Sequence, residues 1–471
     1  MAKLSRFLLP FVFLTTTTAS LQSVASRATT DTTTVKAAWY TAWHTSFLPL
    51  DKVSWSKYTH LIYAFAVTTP DVTTLGLQDT DTKLLPQFVV AAKEHNVIPM
   101  LSVGGAGGSK YFSPLIKTSQ NRTAFVKTLT DVVQKYNLSG LDIDWEFPGE
   151  RGTNCIIFDA NDTSNYLEFL RELRATPIGQ NLVISAAVWH FPWTDSTGNP
   201  SKSVAPFADV LDFVEIMNYD VKSNPAIGAS PSSPLDDSCA PQGAYNRSAK
   251  AAVKAWSNAG MPLNKLVLGV PSYGHSFTVP ISASGTGPVT STGLDQYPFY
   301  SIGTKARGDS WDTTPYTDDC GLPQGPDGIF QYRGLFEQGY LKDDGTPHDG
   351  VNYYFDECSQ TPWLFNTSSR LLVTYDDPRS YDSKGGYIHS AGLRGFAMWE
   401  PAGDLNDVLL DSIIHATQYG GNGSTSDTSG GATSAASHNG YESSFDIKQQ
   451  LQRKLLTTLC VVVCSLLWYV T

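Results

Sequence analysis

Eight short apolar runs recur along this chain, at Lys36–Thr41, His60–Phe65, Val97–Val103, Gly140–Glu146, Val183–Val188, Phe213–Tyr219, Lys265–Val270 and Gly395–Trp399. Their length and their content of β-branched and aromatic residues suit strands. Longer amphipathic stretches lie between several of them, among them Arg122–Tyr136 and Asn165–Leu173, and read as helices. Strands that alternate with helices predict an α/β fold with a parallel sheet. Eight repeats predict that the sheet closes into a (β/α)8 TIM barrel. About 120 residues separate the seventh run from the eighth, too many for a plain loop and too rich in Tyr, Trp and Phe for a disordered one. The expectation is a small α+β insertion between strands 7 and 8, over about residues 275–387, beside the mouth of the barrel.

The folded unit is expected over residues 35–420, flanked by segments of different composition. Lys3 and Arg6 precede the apolar run Phe7–Leu14, and small residues follow to Ala28. This is the pattern of a cleaved secretory signal over residues 1–25, with cleavage near Ala19 or Ala25. Residues 421–444 are rich in Gly, Ser and Thr and read as a flexible linker. In residues 445–471, the polar spacer Phe445–Lys454 precedes the apolar tail Leu455–Val470. Small residues, a spacer and a terminal apolar tail form a lipid-anchor attachment signal, so the mature chain is expected at the cell surface through a GPI anchor. A short transmembrane tail is the alternative, although the run is slightly short for a span.

Six cysteines occur, of which Cys460 and Cys464 lie in the tail. The other four, Cys155, Cys239, Cys320 and Cys358, predict two disulfides in an oxidising compartment. Proximity along the chain points to Cys155–Cys239 and Cys320–Cys358. The net charge of −11 repels a phosphate backbone, so no nucleic-acid partner is expected. Aromatic residues make up 12% of the chain, which suits stacking on the apolar faces of sugar rings and equally suits core filling.

The chemistry concentrates in the run Gly140-Leu-Asp-Ile-Asp-Trp-Glu146. On a strand, Asp142, Asp144 and Glu146 share one face, and in a parallel barrel that face looks inward with its C-terminal end at the active site. Three carboxyls in a low-dielectric space cannot all ionise cheaply, so at least one keeps a proton and Glu146 becomes a competent acid. An Asp-x-Asp pair can also bind Mg2+ or Ca2+. No His lies nearby, and Gly104-Gly-Ala-Gly-Gly108 lacks the Lys-Ser/Thr of a phosphate-binding loop.

Residues 139–148, Ser-Gly-Leu-Asp-Ile-Asp-Trp-Glu-Phe-Pro, resemble the signature of glycoside hydrolase family 18, the chitinases. Tyr63-Ala-Phe65, Ser102-Val-Gly-Gly105, Met217-Asn-Tyr219-Asp220, Gly269-Val-Pro-Ser-Tyr-Gly274, Tyr375-Asp-Asp-Pro378 and Trp399-Glu400 are similar to the family's other landmarks, in the same order. The resemblance implies hydrolysis of β-1,4-linked N-acetylglucosamine polymers with retention and no cofactor or metal. The substrate's acetamido oxygen is the nucleophile in that mechanism. It implies Glu146 as proton donor, Asp144 orienting the acetamido group, Asp142 sharing a proton with Asp144, and Tyr219 donating its hydroxyl to the acetamido group. Trp399, Met217, Asp220, Phe65, Ser102, Gly104 and Gly105 are implied around the sugar, with Ser102 also bonding Asp142. The implied partner is chitin or a chitooligosaccharide, met by a monomer. An endo-β-N-acetylglucosaminidase acting on N-glycans, a chitin-binding lectin on the same barrel and a metal-dependent barrel hydrolase are the alternatives.

The chain departs from the family pattern at several points. Ser139 replaces the first Asp of the signature and is expected deep in the barrel, where it would tune the carboxyls. Trp39 stands where a Tyr usually helps hold the buried Asp; indole cannot accept a hydrogen bond, so the support is expected to fall on Ser102. Ala106 stands where an aromatic residue stacks the outgoing sugar, a role expected of the aromatic segment Trp189-His-Phe-Pro-Trp193. His275 takes the place of an Arg.

Overall fold

The computed structural model describes residues 33–421 except 153–154, 225, 245–246, 280–288, 291–292, 295–296, 302–305 and 319. The expected signal segment and the linker and tail beyond residue 421 lie outside the described residues.

Seven parallel strands come first: β1 (Val35–Thr41), β2 (His60–Thr68), β3 (Ile98–Gly104), β4 (Gly140–Asp144), β5 (Val183–Val188), β6 (Phe213–Ile216) and β7 (Leu266–Pro271). The insertion follows with β8 (Tyr273–Thr278), β9 (Ile329–Gln331), β10 (Val351–Asp356), β11 (Thr361–Asn366) and β12 (Leu371–Thr374), and β13 (Gly395–Trp399) is the eighth barrel strand. β13 pairs with β7 on one side and β1 on the other, and β1 pairs with β2, so the sheet is a closed eight-stranded parallel barrel. The insertion holds a five-stranded antiparallel sheet in the order β9-β8-β12-β11-β10 together with the short helix Tyr332–Glu337. Helix Pro378–Ala391 then leads back to β13 and packs into the barrel's outer shell through Tyr381 and Ile388.

The sequence sorts the two faces of each strand by its period of two. Ala37, Trp39, Ile62, Ala64, Met100, Ala187, Phe213 and Val267 fill the barrel. Their neighbours Leu61, Leu101, Leu141, Ile143, Ile184 and Leu268 pack outward. The helices present their own apolar stripes to that outer surface. In Ser119–Tyr136, Phe125, Val126, Leu129 and Val133 recur at helical spacing and are buried. Thr118 caps this helix by accepting from the Asn121 N–H, and Asn137 ends it in the left-handed region at φ 56°.

The disulfides differ from the expected pairing: Cys155 joins Cys320 and Cys239 joins Cys358, with Cα–Cα distances of 5.6 and 6.3 Å. The reason lies in the topology. Cys155 follows β4 and Cys239 follows β6, and each meets the insertion that carries Cys320 and Cys358. Neighbours in sequence were the wrong guide because the insertion folds back over the loops that precede it. Each bridge closes a loop of more than a hundred residues, worth about 5 kcal/mol in the chain-entropy account.

Candidate active site

The site begins with a carboxylate buried among neutral donors. Asp142, on β4, is fully buried. Its Oδ2 accepts from Trp39 Nε1 on β1 at 3.0 Å and from Ser102 Oγ on β3 at 2.8 Å, and its Oδ1 accepts from Ser185 Oγ on β5 at 2.9 Å. Burial pushes its pKa up and the three donors pull it back, leaving it above the ordinary carboxylate value. The Trp39 departure therefore costs Asp142 no support: a carboxylate needs donors, and indole N–H is one. Ser102 shares the task with Trp39 and with Ser185, which the sequence reading did not single out. Ser139 contributes nothing to this cluster. It precedes β4 at a position whose side chain faces away from Asp142, and its backbone bonds Pro99 and Val183.

Asp144, one inward step along β4, is 4% exposed, and its Oδ1 has no hydrogen-bond partner among the described residues. Burial, then the charges of Glu146 and Asp142, hold it well above the usual carboxylate range. β4 ends at Asp144, so Glu146 stands just past the strand rather than on it. It is half-buried at the mouth, and burial followed by the charge of Asp220 raises its pKa to about 7.

The turn after β3 holds this strand end in place. The Gly105 N–H and the buried Ser109 hydroxyl both donate to the Asp144 carbonyl at 2.8 Å, and the Glu146 N–H donates to Ser109 Oγ at 3.1 Å. Gly104 has φ 116°, and a Cβ there would stand 2.1 Å from the Asp144 carbonyl oxygen. A Cβ on Gly105 would press on the Phe65 ring at 2.9 Å. Gly104 and Gly105 thus serve close backbone approach. Ser109 was missed by sequence reasoning, although it directly follows the glycine-rich run.

On the β6 side, Met217 and Tyr219 are nearly buried in the cluster that fills the barrel. Burial, then the neighbouring Asp144 charge, keeps the Tyr219 phenol protonated. Asp220 Oδ1 accepts from Tyr273 OH and His275 Nε2, each at 2.7 Å. Burial alone would raise the Asp220 pKa, but these partners outweigh it and hold the group below its ordinary value. His275, in turn, is lowered by burial and lifted further by Asp220, ending above the ordinary imidazole value.

The third wall is aromatic. Phe65 stacks on Trp399 with centroids 5.7 Å apart, Trp39 meets Trp399 edge-on at 6.0 Å, and Trp43 lies over Phe65 at 6.1 Å. Trp43 is 54% exposed beside Trp399 and was not singled out in the sequence. The segment Trp189–Trp193 divides. Trp193 is nearly buried against Phe207 and Trp256, and His190 is fully buried. Trp189 packs on Phe147 at 5.4 Å, and with Phe191 and Arg247 these line a cavity of about 240 Å³.

The model for glycosyl hydrolases family 18 matches residues 35–404. A chitinase-like effector of Moniliophthora roreri is 42% identical over 412 residues, covering 88% of this chain and 99% of that protein. The crystal structure of a chitinase from Rhizomucor miehei superposes with a TM-score of 0.72 at 32% identity, covering 81% of this chain and 99% of that one. A chitinase from Cycas revoluta in complex with (GlcNAc)3 shares the fold with a TM-score of 0.63 at 22% identity, covering 81% of this chain and 99% of that one.

Proposed function

The chain belongs to glycosyl hydrolases family 18, and from that premise we propose that it is a chitinase acting by the retaining, substrate-assisted route. The observation that carries the proposal is the vacant Asp144 Oδ1, set between an anchored Asp142 and a Glu146 whose pKa stands at about 7. Glu146 gives its proton to the leaving glycosidic oxygen while the acetamido carbonyl oxygen of the sugar attacks the anomeric carbon. Asp144 shares its proton with Asp142, accepts the acetamido N–H and faces the positive charge of the oxazolinium ion. Tyr219 donates its hydroxyl to the same acetamido group, and Trp399 is the floor under the sugar ring. Water then opens the oxazolinium ion as Glu146 takes a proton back.

The substrate class follows from the acetamido group this chemistry needs, and from relatives described as chitinases or bound to (GlcNAc)3. We extend the proposal to the ends of the chain: a secreted protein held at the cell surface by a lipid anchor, acting as a monomer. Release by a phosphatidylinositol-cleaving phospholipase tests the anchor.

Proton NMR of chitohexaose digestion tests the mechanism. Retention predicts β-anomeric product before mutarotation; α-anomeric product would remove the oxazolinium route. A second reading, chitin binding without hydrolysis, is favoured by the description of the Moniliophthora relative as a chitinase-like effector. Tight binding of chitohexaose by the wild-type chain with no product would select it. Cleavage of N-glycans in preference to chitohexaose would select an endo-β-N-acetylglucosaminidase instead.

A further inference from the structure

The loop that follows Glu146 folds back on it. A Cβ on Gly152 would stand 2.4 Å from the Glu146 carbonyl oxygen. On one side the loop is held to the segment after β5, where Thr194 Oγ1 donates to the Glu150 carboxylate. On the other it is held to the segment after β3, where the Ile157 N–H donates to the Lys110 carbonyl at 3.1 Å. Cys155 stands between these two anchors, beyond the mouth end of β4.

The insertion sends out a hairpin of its own. Between β8 and β9, Tyr316–Thr317 pairs antiparallel with Pro323–Gln324, and Cys320 stands in the turn. Asp318 Oδ1 accepts from the Cys320 and Leu322 N–H groups at 2.9 and 2.8 Å, and its Oδ2 accepts from Gln324 Nε2 at 2.7 Å, so the turn is braced from within. At the base, Asp312 Oδ1 accepts from the Thr313 and Asp327 N–H groups, both at 2.9 Å, and draws the two feet together. Both feet stand on the rim of the site. Trp311 stacks on His44 at 3.7 Å, and His44 bonds Glu400, the residue after Trp399. The Asp327 carbonyl faces His275 Nδ1 at 3.3 Å, and His275 holds Asp220.

In a closed ring of eight strands in the order found here, β4 stands opposite β13. The hairpin rises from the side of β7 and β13, and its tip is joined to the loop after β4 by the Cys155–Cys320 bridge, with a Cα–Cα distance of 5.6 Å. The covalent path therefore crosses the mouth, above Glu146. The other bridge crosses nothing. Cys239 follows β6, which neighbours β7, and Cys358 lies in the turn between β10 and β11, on the insertion's own side.

We propose that the Cys155–Cys320 bridge straps the cleft into a tunnel, so that a chitin chain is taken by its end rather than at internal bonds. The inference rests on the chitinase reading given above. A lid held by hydrogen bonds alone can swing aside for the middle of a polymer. A covalent ring cannot, and only a free chain end passes through it. A threaded chain also cannot leave sideways after a cut, so it advances for the next one. The strap touches no reacting atom. Its two cysteines decide which bonds of the polymer reach Glu146.

The test uses the full oxidised chain as wild type, Cys155→Ser/Cys320→Ser and, as a control that loses the other bridge, Cys239→Ser/Cys358→Ser. Soluble glycol chitin is the polymer, and loss of viscosity is read against reducing ends formed. The proposal expects wild type to release reducing ends with little early loss of viscosity. Cys155→Ser/Cys320→Ser should lose several-fold more viscosity for the same number of reducing ends, and the control should keep the wild-type pattern. An early collapse of viscosity in wild type, an unchanged pattern in Cys155→Ser/Cys320→Ser, or the same shift in the control would each overturn it. Should the strap variant not fold, the wild-type pattern still decides. A wild-type chain that turns over neither chitohexaose nor glycol chitin would sink the chitinase reading, and binding would then test the strap. Glycol chitin should take up more protein after sonication has multiplied its chain ends. Uptake independent of chain length would overturn the strap.

Discussion

Asp142 and Asp220 both end in hydrogen bonds at the same end of the barrel, but their donors differ in kind. Asp142 sits on the floor, dry, with an indole N–H and two hydroxyls that carry no charge at any working pH. Asp220 sits at the rim with its side chain 47% exposed, held by a phenol and by an imidazole that titrates. The floor is therefore built for a geometry that does not change with pH, and the rim for a charge balance that does. Glu146 stands at the mouth, nearer the rim: its own burial supplies most of its shift, and the Asp220 charge adds to it.

Replacements at the floor should be the more damaging. Asp144→Asn removes the charge that faces the oxazolinium ion, and kcat should fall on the order of 10²–10³-fold with KM little changed. A loss confined to KM would place Asp144 in ground-state binding instead. Trp39→Phe keeps a ring in the barrel but deletes one donor to Asp142. It should cost about 2 kcal/mol of unfolding free energy, as for other hydrogen bonds to charged groups, measurable by urea titration. A neutral result would mean that Ser102 and Ser185 suffice and that the floor is over-determined.

At the rim, Trp43→Ala removes an exposed ring beside Trp399 and should raise KM for chitohexaose about fivefold, near 1 kcal/mol of stacking, leaving kcat in place. The smallest effect is expected at His275. Its folded pKa stands above the ordinary imidazole value, so its contribution to stability is full below that value and is lost as pH rises through the raised one. The Asp220 pKa is lowered, so its contribution is present above the ordinary carboxylate value and is lost as pH falls through the lowered one. Thermal melts of wild type should lose stability as the pH rises through the raised His275 value, and His275→Gln should remove that drift. The same variant leaves the Asp220 charge less balanced, so the alkaline limb of kcat, set by loss of the Glu146 proton, should move upward by less than one pH unit. A downward move would mean that Asp220 does not act on Glu146.

The barrel was legible because a strand's period of two and a helix's period of 3.6 are written in residue type. All eight expected runs are strands, with ends moved by a few residues. The central carboxyls were legible for the same reason: Asp142 and Asp144 alternate with outward-facing Leu141 and Ile143. What the sequence hid depended on contacts between distant segments. Ser185 and Trp39 reach Asp142 from β5 and β1, and nothing local marks a serine or an indole as its donor. The disulfide pairing depended on where the insertion stands, which no spacing encodes.

The central claim is that Glu146 delivers the proton while the floor beneath it orients the sugar, and it is tested most directly by Glu146→Gln. Chitohexaose turnover and calorimetric binding should be measured on the same preparation. The account predicts turnover lost by at least two orders of magnitude, with affinity retained because the Asp142 donors and the Trp399 floor are untouched. Undiminished turnover in Glu146→Gln would contradict it.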